Sequence, residues 1–227
     1  MKKEMMNDYT ARLESVCRVN DSIAPRLYDE YGVNLGLRDE NGNGVLTGLT
    51  NISKIVSSKI VDGHKIPCEG ELWYRGYRIE RLLDSIGDTK FGYEKIAYLL
   101  LMGELPTTEQ EKEFAELIGK CRILPTNFTK DVIMKAPSED IMNSMTRSIL
   151  TLASYDEQAK DTSVQNSLRQ CIQLIGEFPL IAVYGYHAYN HYIKNDSLYI
   201  HHPDPSLSTA ENLLMMLRPD QKYTEVE

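Results

Sequence analysis

Five histidines are the side chains best suited to chemistry in this 227-residue sequence: His64, His187, His191, His201 and His202. His187 and His191 stand four residues apart in a helical stretch, which is the spacing of paired metal ligands. Ala188, Tyr189 and Asn190 lie between them, so the glutamate that activates a zinc-bound water is absent. The pattern predicts a solvated or tyrosine-packed helix face and no metal site. His64 follows an Asp-Gly pair and is expected in solvent, and His201-His202-Pro203 reads as a loop. Asp39-Glu40-Asn41-Gly42-Asn43-Gly44 matches the start of an EF-hand calcium loop. Its twelfth position is Thr50, where calcium needs a bidentate glutamate. Gly42 and Gly44 form no nucleotide fingerprint, because no strand leads in and no helix opens. Cys17, Cys68, Cys121 and Cys171 are widely spread, which disfavours zinc and a disulfide framework; reduced, mostly buried thiols are expected.

The elements that must position these residues follow from periodicity. Met5, Met6, Tyr9, Leu13, Val16 and Cys17 recur at helical spacing. A short helix fits Ile23 to Tyr31, with Asp21 or Ser22 as cap and Gly32 as stop. β-Branched residues then cluster: Ile52, Ile55, Val56, Ile60 and Val61. Asp62-Gly63 predicts a tight hairpin turn, which needs positive φ, inside a small β region between Val45 and Tyr74. From Glu80 onward the chain reads as helices. Gly103 ends one, Pro106 blocks its continuation, and Thr107 with Gln110 opens the next as a capping box. Phe114, Leu117, Ile118 and Cys121 are its apolar stripe. Val132 and Ile133 mark a short helix before Pro137. Ser138 is expected to cap a helix carrying Ile141, Met142, Met145, Ile149 and Leu152. Ser163 to Tyr192 is a long helical pattern with a kink expected at Pro179. Ser208 and Glu211 form a second capping box before Leu213, Leu214 and Leu217.

A net charge of −8 argues against a nucleic-acid partner, which requires a basic face. No apolar run approaches a membrane span, and no secretory leader is read at Met1-Lys2-Lys3-Glu4, so a cytoplasmic location is expected. Tyr223-Thr224-Glu225-Val226-Glu227 reads as a cap and an acidic first turn, so the expectation is that the chain stops while a helix is starting.

Several runs carry a family resemblance. Tyr74-Arg75-Gly76-Tyr77, with Ile79 and Leu82, is similar to the "FRG" or "YRG" motif of citrate synthases. Ala97 to Thr107, ending Gly103-Glu104-Leu105-Pro106-Thr107, resembles their "AYLLLxGELPT" signature. Gly44 to Thr50 looks like their early β segment, Leu124-Pro125 and Phe178-Pro179-Leu180-Ile181-Ala182 like later helical blocks, and Glu211 to Leu217 like the "ENFLxML" helix. In this order, from about Gly44 to Leu217, the runs identify a member of the citrate synthase family.

The resemblance implies a mainly α fold, the N-terminal part of that family's large helical domain, with a small β-hairpin region near residues 45–75. It divides the chain into a helical arm (1–36), a small β region (37–80) and a helical bundle (81–227), with the small domain and catalytic half absent. The implied parent is an acyltransferase of the tricarboxylic acid cycle that condenses acetyl-CoA with oxaloacetate to citrate and CoA. A 2-methylcitrate synthase using propionyl-CoA is the alternative, and a structural or dimerisation module with no catalysis of its own is another. The CoA thioester is a substrate, so no cofactor is implied. In the family one carboxylate takes a proton from the acyl methyl group, and two histidines polarise the thioester and keto carbonyls. Such weak carbon acids require both a positioned base and a donor to the developing oxyanion. The histidines sit in H-x-[DE]-H-x-x-x-N and G-P-L-H-G contexts, and neither occurs here. No catalytic residue is therefore carried over, substrate contacts are unassigned, and the chain alone is expected to be inactive. Tyr74, Arg75, Gly76, Gly103, Glu104, Leu105, Pro106 and Thr107 are expected to act structurally, Arg75 as a buried ion-pair partner in preference to a substrate contact. The resemblance also implies self-association through helices near 138–154 and 163–192.

Overall fold

The structure is a computed structural model and describes residues 2–24, 26–33, 49–224 and 226–227. Contacts divide the chain into two compact units, Ser15–Thr89 with Ile96–Leu105, and Met1–Glu14 with Lys90–Lys95 and Pro106–Glu227. The calcium-loop decoy at 39–44 and most of the early β segment, 44–48, lie outside the described residues.

In the first unit, α1 (Lys2–Asn20) brings its C-terminal turn, with Cys17 buried. The short α2 (Arg26–Glu30) ends at Gly32, whose φ is +57°. Neither expected cap serves it. Ser22 donates its hydroxyl back to the Val19 carbonyl, and Asp21 pairs with Arg75. β1 (Ser53–Val61) and β2 (His64–Tyr74) form an antiparallel hairpin in which Val61 pairs with His64. Asp62 and Gly63 between them have φ of +51° and +77°, the two-residue mirror-image turn that suits a twisted hairpin. A bulge on β2 breaks the register between Val56 and Ser58. Among the described residues the strands begin at Ser53, and the expected start at Val45 lies outside them. Tyr74 also pairs with Tyr77 of the two-residue β3 (Tyr77–Arg78), through a second tight turn at Arg75 and Gly76. α3 (Ile79–Ile86) follows and buries Leu82.

α4 (Gly92–Met102) supplies Tyr98, Leu99 and Met102 to the buried interior and ends at Gly103. The second unit is built around α7 (Val164–Tyr192), 29 residues long, which packs on α5 (Thr108–Cys121), α6 (Ile141–Leu152) and α8 (Thr209–Leu217). Its core includes Phe128, Leu180, Ile181, Tyr184, Ala188 and Met216. Both expected capping boxes form: Thr107 with Gln110 opens α5, and Ser208 with Glu211 opens α8. The expected stripe Phe114, Leu117, Ile118 and Cys121 is buried on α5.

Close approach at Gly176 explains how α7 reaches α5. A Cβ there would lie 2.7 Å from Cys121 Cβ and 3.1 Å from the Ile118 carbonyl oxygen, so only glycine permits this crossing. α7 runs unbroken through Pro179. The residues around Val132 form a single π-helical turn, with the Met134 N–H donating to the Thr129 carbonyl at 2.9 Å.

α6 corrects two expectations. Its cap is Asp140, which accepts from the Asn143 N–H at 2.9 Å, whereas Ser138 accepts from the Asp140 N–H one turn earlier. Its buried face is Ser144, Ser148 and Leu152, while Met142 and Leu150 are both 69% exposed. Small hydroxyl residues let α6 sit close to α7, where Gly185 lies under Ser144. Ser148 satisfies its hydroxyl on the Ser144 carbonyl at 2.8 Å. Of the expected stripe, Leu152 is buried and Met145 and Ile149 pack against the core, while Met142 turns outward.

Candidate functional site

Arg75 sits in the turn between β2 and β3 with φ of +47°, a conformation that L-residues adopt at a cost. Its side chain is 4% exposed. Nε and Nη2 donate to the Leu100 carbonyl at 3.1 and 2.7 Å, near the end of α4. Nη1 donates to the Asn20 carbonyl at 3.3 Å and to Asn51 Oδ1 at 3.0 Å, and Nη2 pairs with Asp21 at 2.7 Å. One planar fork thus joins the end of α1, the approach to β1 and the last turn of α4, a task only guanidinium geometry performs. Asn20 adds a bond from Nδ2 to the Met102 carbonyl at 2.6 Å. Gly76 has φ of +84° and open space where a Cβ would sit. The requirement there is conformational, not steric. Gly103 is constrained twice: φ is +82°, and a Cβ would lie 2.6 Å from Asn20 Cβ.

The remaining motif residues make a helix boundary. Tyr74 is half-buried and closes β2; Glu104 is exposed; Leu105 and Pro106 are partly buried. Thr107 accepts from the Gln110 N–H at 3.3 Å, and Gln110 Oε1 accepts from the Thr107 N–H at 2.8 Å. Sequence reasoning missed Asn20, Asp21 and Asn51, the groups that Arg75 binds. Nothing in their local spacing marks them, because they meet only in the folded unit.

A second polar centre is buried in the other unit. Glu94 Oε1 accepts from the Thr209 N–H at 2.8 Å, the Thr209 hydroxyl at 2.7 Å and Arg122 Nη2 at 3.3 Å. Arg122 Nη1 donates to the Leu207 carbonyl at 2.6 Å. Burial pushes the Arg122 guanidinium down from its ordinary range, and Glu94 opposes that. Glu94 Oε2 and Arg122 Nε have no hydrogen-bond partner. Asn212, fully buried, clasps Asp204 in both directions at 2.8 Å, so the loop before α8 is pinned by side chains at each end.

A cleft of about 460 Å³ opens beside α7. Arg169 runs into it between Asp156 Oδ2 at 2.5 Å and Gln173 Oε1 at 3.2 Å, and Gln173 Nε2 donates to the 98% buried Glu177 at 2.9 Å. Burial pushes the Asp156 carboxyl up, but hydrogen bonds from Gln170 and Arg169 outweigh it and hold the carboxyl below its usual range. Asn166, Arg169, Gln173 and Glu177 recur at three- and four-residue spacing within an apolar helix. That is the signal by which this row was detectable.

The histidines do not converge on one reactive point. His64 is exposed at the start of β2. His187 is buried against Tyr199, with ring centres 4.4 Å apart, and His191 bonds the Asp196 carbonyl. His201 is partly buried and His202 exposed. Among the described residues, no group of three or more His, Cys, Asp or Glu side chains is placed to hold a metal ion. The four cysteines form no disulfide with one another; Cys17 and Cys121 are buried, Cys68 partly buried and Cys171 exposed.

The described residues therefore define a mainly helical fold with one small three-stranded antiparallel sheet, and the family motifs lie at its turns and helix ends. The same fold occurs in citrate synthase from Pyrobaculum aerophilum, 25% identical, with a TM-score of 0.63 over 82% of this chain and 45% of that one. A Thermoplasma acidophilum citrate synthase solved with carboxymethyl coenzyme A and oxaloacetate is 24% identical, with a TM-score of 0.54 over 75% and 39% of the two chains. The family profile described as "Citrate synthase, C-terminal domain" matches residues 40–227. 2-Methylcitrate synthase 2 of Corynebacterium glutamicum is 28% identical over 175 residues, 77% of this chain and 40% of the relative. Citrate synthase 1 of Mycobacterium tuberculosis is 29% identical over 148 residues, 65% and 32% of the two lengths. The chain belongs to the citrate synthase family, and it spans less than half the length of these relatives.

Proposed function

We propose that this chain is the scaffold portion of a citrate synthase-type acyltransferase that joins the acyl group of a CoA thioester to oxaloacetate. The observation that carries this reading is the family match across residues 40–227. Acetyl-CoA is the first choice of acyl donor and propionyl-CoA the alternative, since both citrate and 2-methylcitrate synthases stand among the relatives. The ternary complex of the Thermoplasma relative supports a CoA thioester and oxaloacetate as substrates. No helix of the described residues is long and apolar enough to cross a membrane, which is compatible with a cytoplasmic enzyme of the tricarboxylic acid cycle.

The chain's own contribution in this reading is positional. Arg75, Gly76 and the Gly103–Thr107 corner fix helix ends. Neither family histidine context occurs in the 227 residues, so they carry no base and oxyanion donor for enolisation. The assay is thiol release from acetyl-CoA, with and without oxaloacetate. The expected result is no release above a no-protein control. Oxaloacetate-dependent release would overturn the inactive-scaffold reading. Self-association through α6 and α7 is the second element of the proposal, supported by exposed Met142 and Leu150 on α6 and half-exposed Tyr186 and Tyr192 on α7.

A further inference from the structure

Two histidines that no catalytic reading uses are built into the end of the second unit. His187, on α7, is 3% exposed, and its Nε2 lies 3.0 Å from the Met216 carbonyl in the last turn of α8. A carbonyl only accepts, so this nitrogen carries the proton. Tyr199 donates to the adjacent Leu217 carbonyl at 2.8 Å. Together the two side chains satisfy carbonyls that a helix end leaves without intrahelical partners. The Tyr199 ring lies between two imidazoles, with His187 at 4.4 Å and His201 at 5.3 Å between ring centres.

His201 is held just as specifically. Gln221 Nε2 lies 2.8 Å from its Nδ1, and an amide nitrogen only donates, so Nδ1 accepts. The neutral ring therefore carries its proton on Nε2, which is buried with no partner. The His201 carbonyl accepts from the Tyr184 hydroxyl at 2.9 Å, and burial pushes that phenol up to about 12, so it stays a donor across the working pH range. Protonating His187 would place a cation in this buried site, on one face of the Tyr199 ring.

We propose that His187 forms a protonation latch, with the Tyr199 ring stacked between it and His201: neutral, His187 holds residues 199–223, which include α8, against α7, and acidification loosens that segment. The surrounding ionisable groups supply little compensation. α7 contributes Tyr186 and His191, and the connecting residues contribute Asp196, Tyr199 and His202. α8 contributes its C-terminal carbonyls, with its acidic Glu211 in the first turn bonded to the Ser208 N–H. The last residues contribute Tyr223, together with Arg218, already paired with Glu227. Burial lowers the His187 pKa; the Met216 carbonyl opposes this, and His201 adds to the lowering. A base depressed in the folded state binds fewer protons folded than open. The hold is therefore complete above the ordinary imidazole pKa of about 6.5 and is lost as pH falls through it toward the folded value.

The test is hydrogen exchange of the 227-residue chain at pH 7.5 and 5.5, corrected for the intrinsic pH dependence of exchange. An open state in which His187 takes up a proton that the folded state excludes gains up to about tenfold in population at pH 5.5. Protection across residues 199–223 should fall by about that factor, while the hairpin at 53–74 stays unchanged. H187Q keeps an amide donor for the Met216 carbonyl and cannot titrate, so it should flatten the difference. Equal protection at both pH values, or an undiminished pH effect in H187Q, overturns the latch. Proton NMR titration of His187 in the wild-type chain decides the matter even if H187Q does not fold. A midpoint below 6.5 coincident with loss of protection supports the latch, and a midpoint at or above 6.5 overturns it.

Discussion

Replacing Arg75 with alanine should unfold the unit around it well before the rest of the chain. The side chain makes five hydrogen bonds to four groups, three of them neutral acceptors at Leu100, Asn20 and Asn51. Hydrogen bonds to a charged partner contribute roughly 1.5–3 kcal/mol each, but these share one guanidinium and cannot be summed. Asp21 is half-exposed, so its ion pair adds little. Leaving the Leu100 and Asn20 carbonyls without a donor sets the scale, and a loss of about 3–4 kcal/mol is expected. Trp73 lies two residues away and is the only tryptophan in the sequence, so its fluorescence reports this unit selectively. In urea the Trp73 transition of R75A should move down by more than about 1 M at ordinary slopes. R75K should recover only the Asp21 contact, because an ammonium lacks the planar fork. R75G is the sharper control. It loses every bond that R75A loses, yet relieves a left-handed conformation costing about 1 kcal/mol, and should be the more stable of the two. A Trp73 transition in R75A within about 0.5 kcal/mol of wild type would refute the keystone role. R75G less stable than R75A would refute the strain argument.

Gly176→Val places a branched side chain where even a Cβ would lie 2.7 Å from Cys121 Cβ, with the Ile118 carbonyl beside it. Overpacking at a helix crossing costs about 1–3 kcal/mol or more, so the thermal midpoint should fall by several degrees, and an unchanged midpoint would contradict the close crossing of α5 and α7. Sedimentation at several concentrations should show mass rising with concentration, and the M142K/L150K double variant should suppress it; a wild-type chain monomeric throughout would remove self-association from the proposed function.

Local chemistry made the fold legible where one residue type answers one backbone need. Asp62-Gly63 was readable because two positive φ angles in succession leave few residue choices, and Thr107 with Gln110 because a capping box satisfies two orphan N–H groups reciprocally. The α6 cap was not readable in the same way. Ser138 and Asp140 can both accept from a backbone N–H, and the structure uses both, two residues apart. The α6 face was readable only in part: Met145, Ile149 and Leu152 face the core as their spacing implied, but Ser144 and Ser148 fill the close approach to α7 and Met142 turns outward. Arg75 shows the deeper limit. Arg75 was expected in a buried ion pair; it does pair with Asp21, but Asp21 is half-exposed, and the guanidinium also donates to the Leu100 and Asn20 carbonyls. Backbone acceptors are the same at every residue, so nothing in a sequence marks the two that an arginine will find. Helix termini are where such acceptors remain unsatisfied, so a buried arginine in a family motif is best sought against the ends of helices. His187 obeys the same rule on the Met216 carbonyl in the last turn of α8.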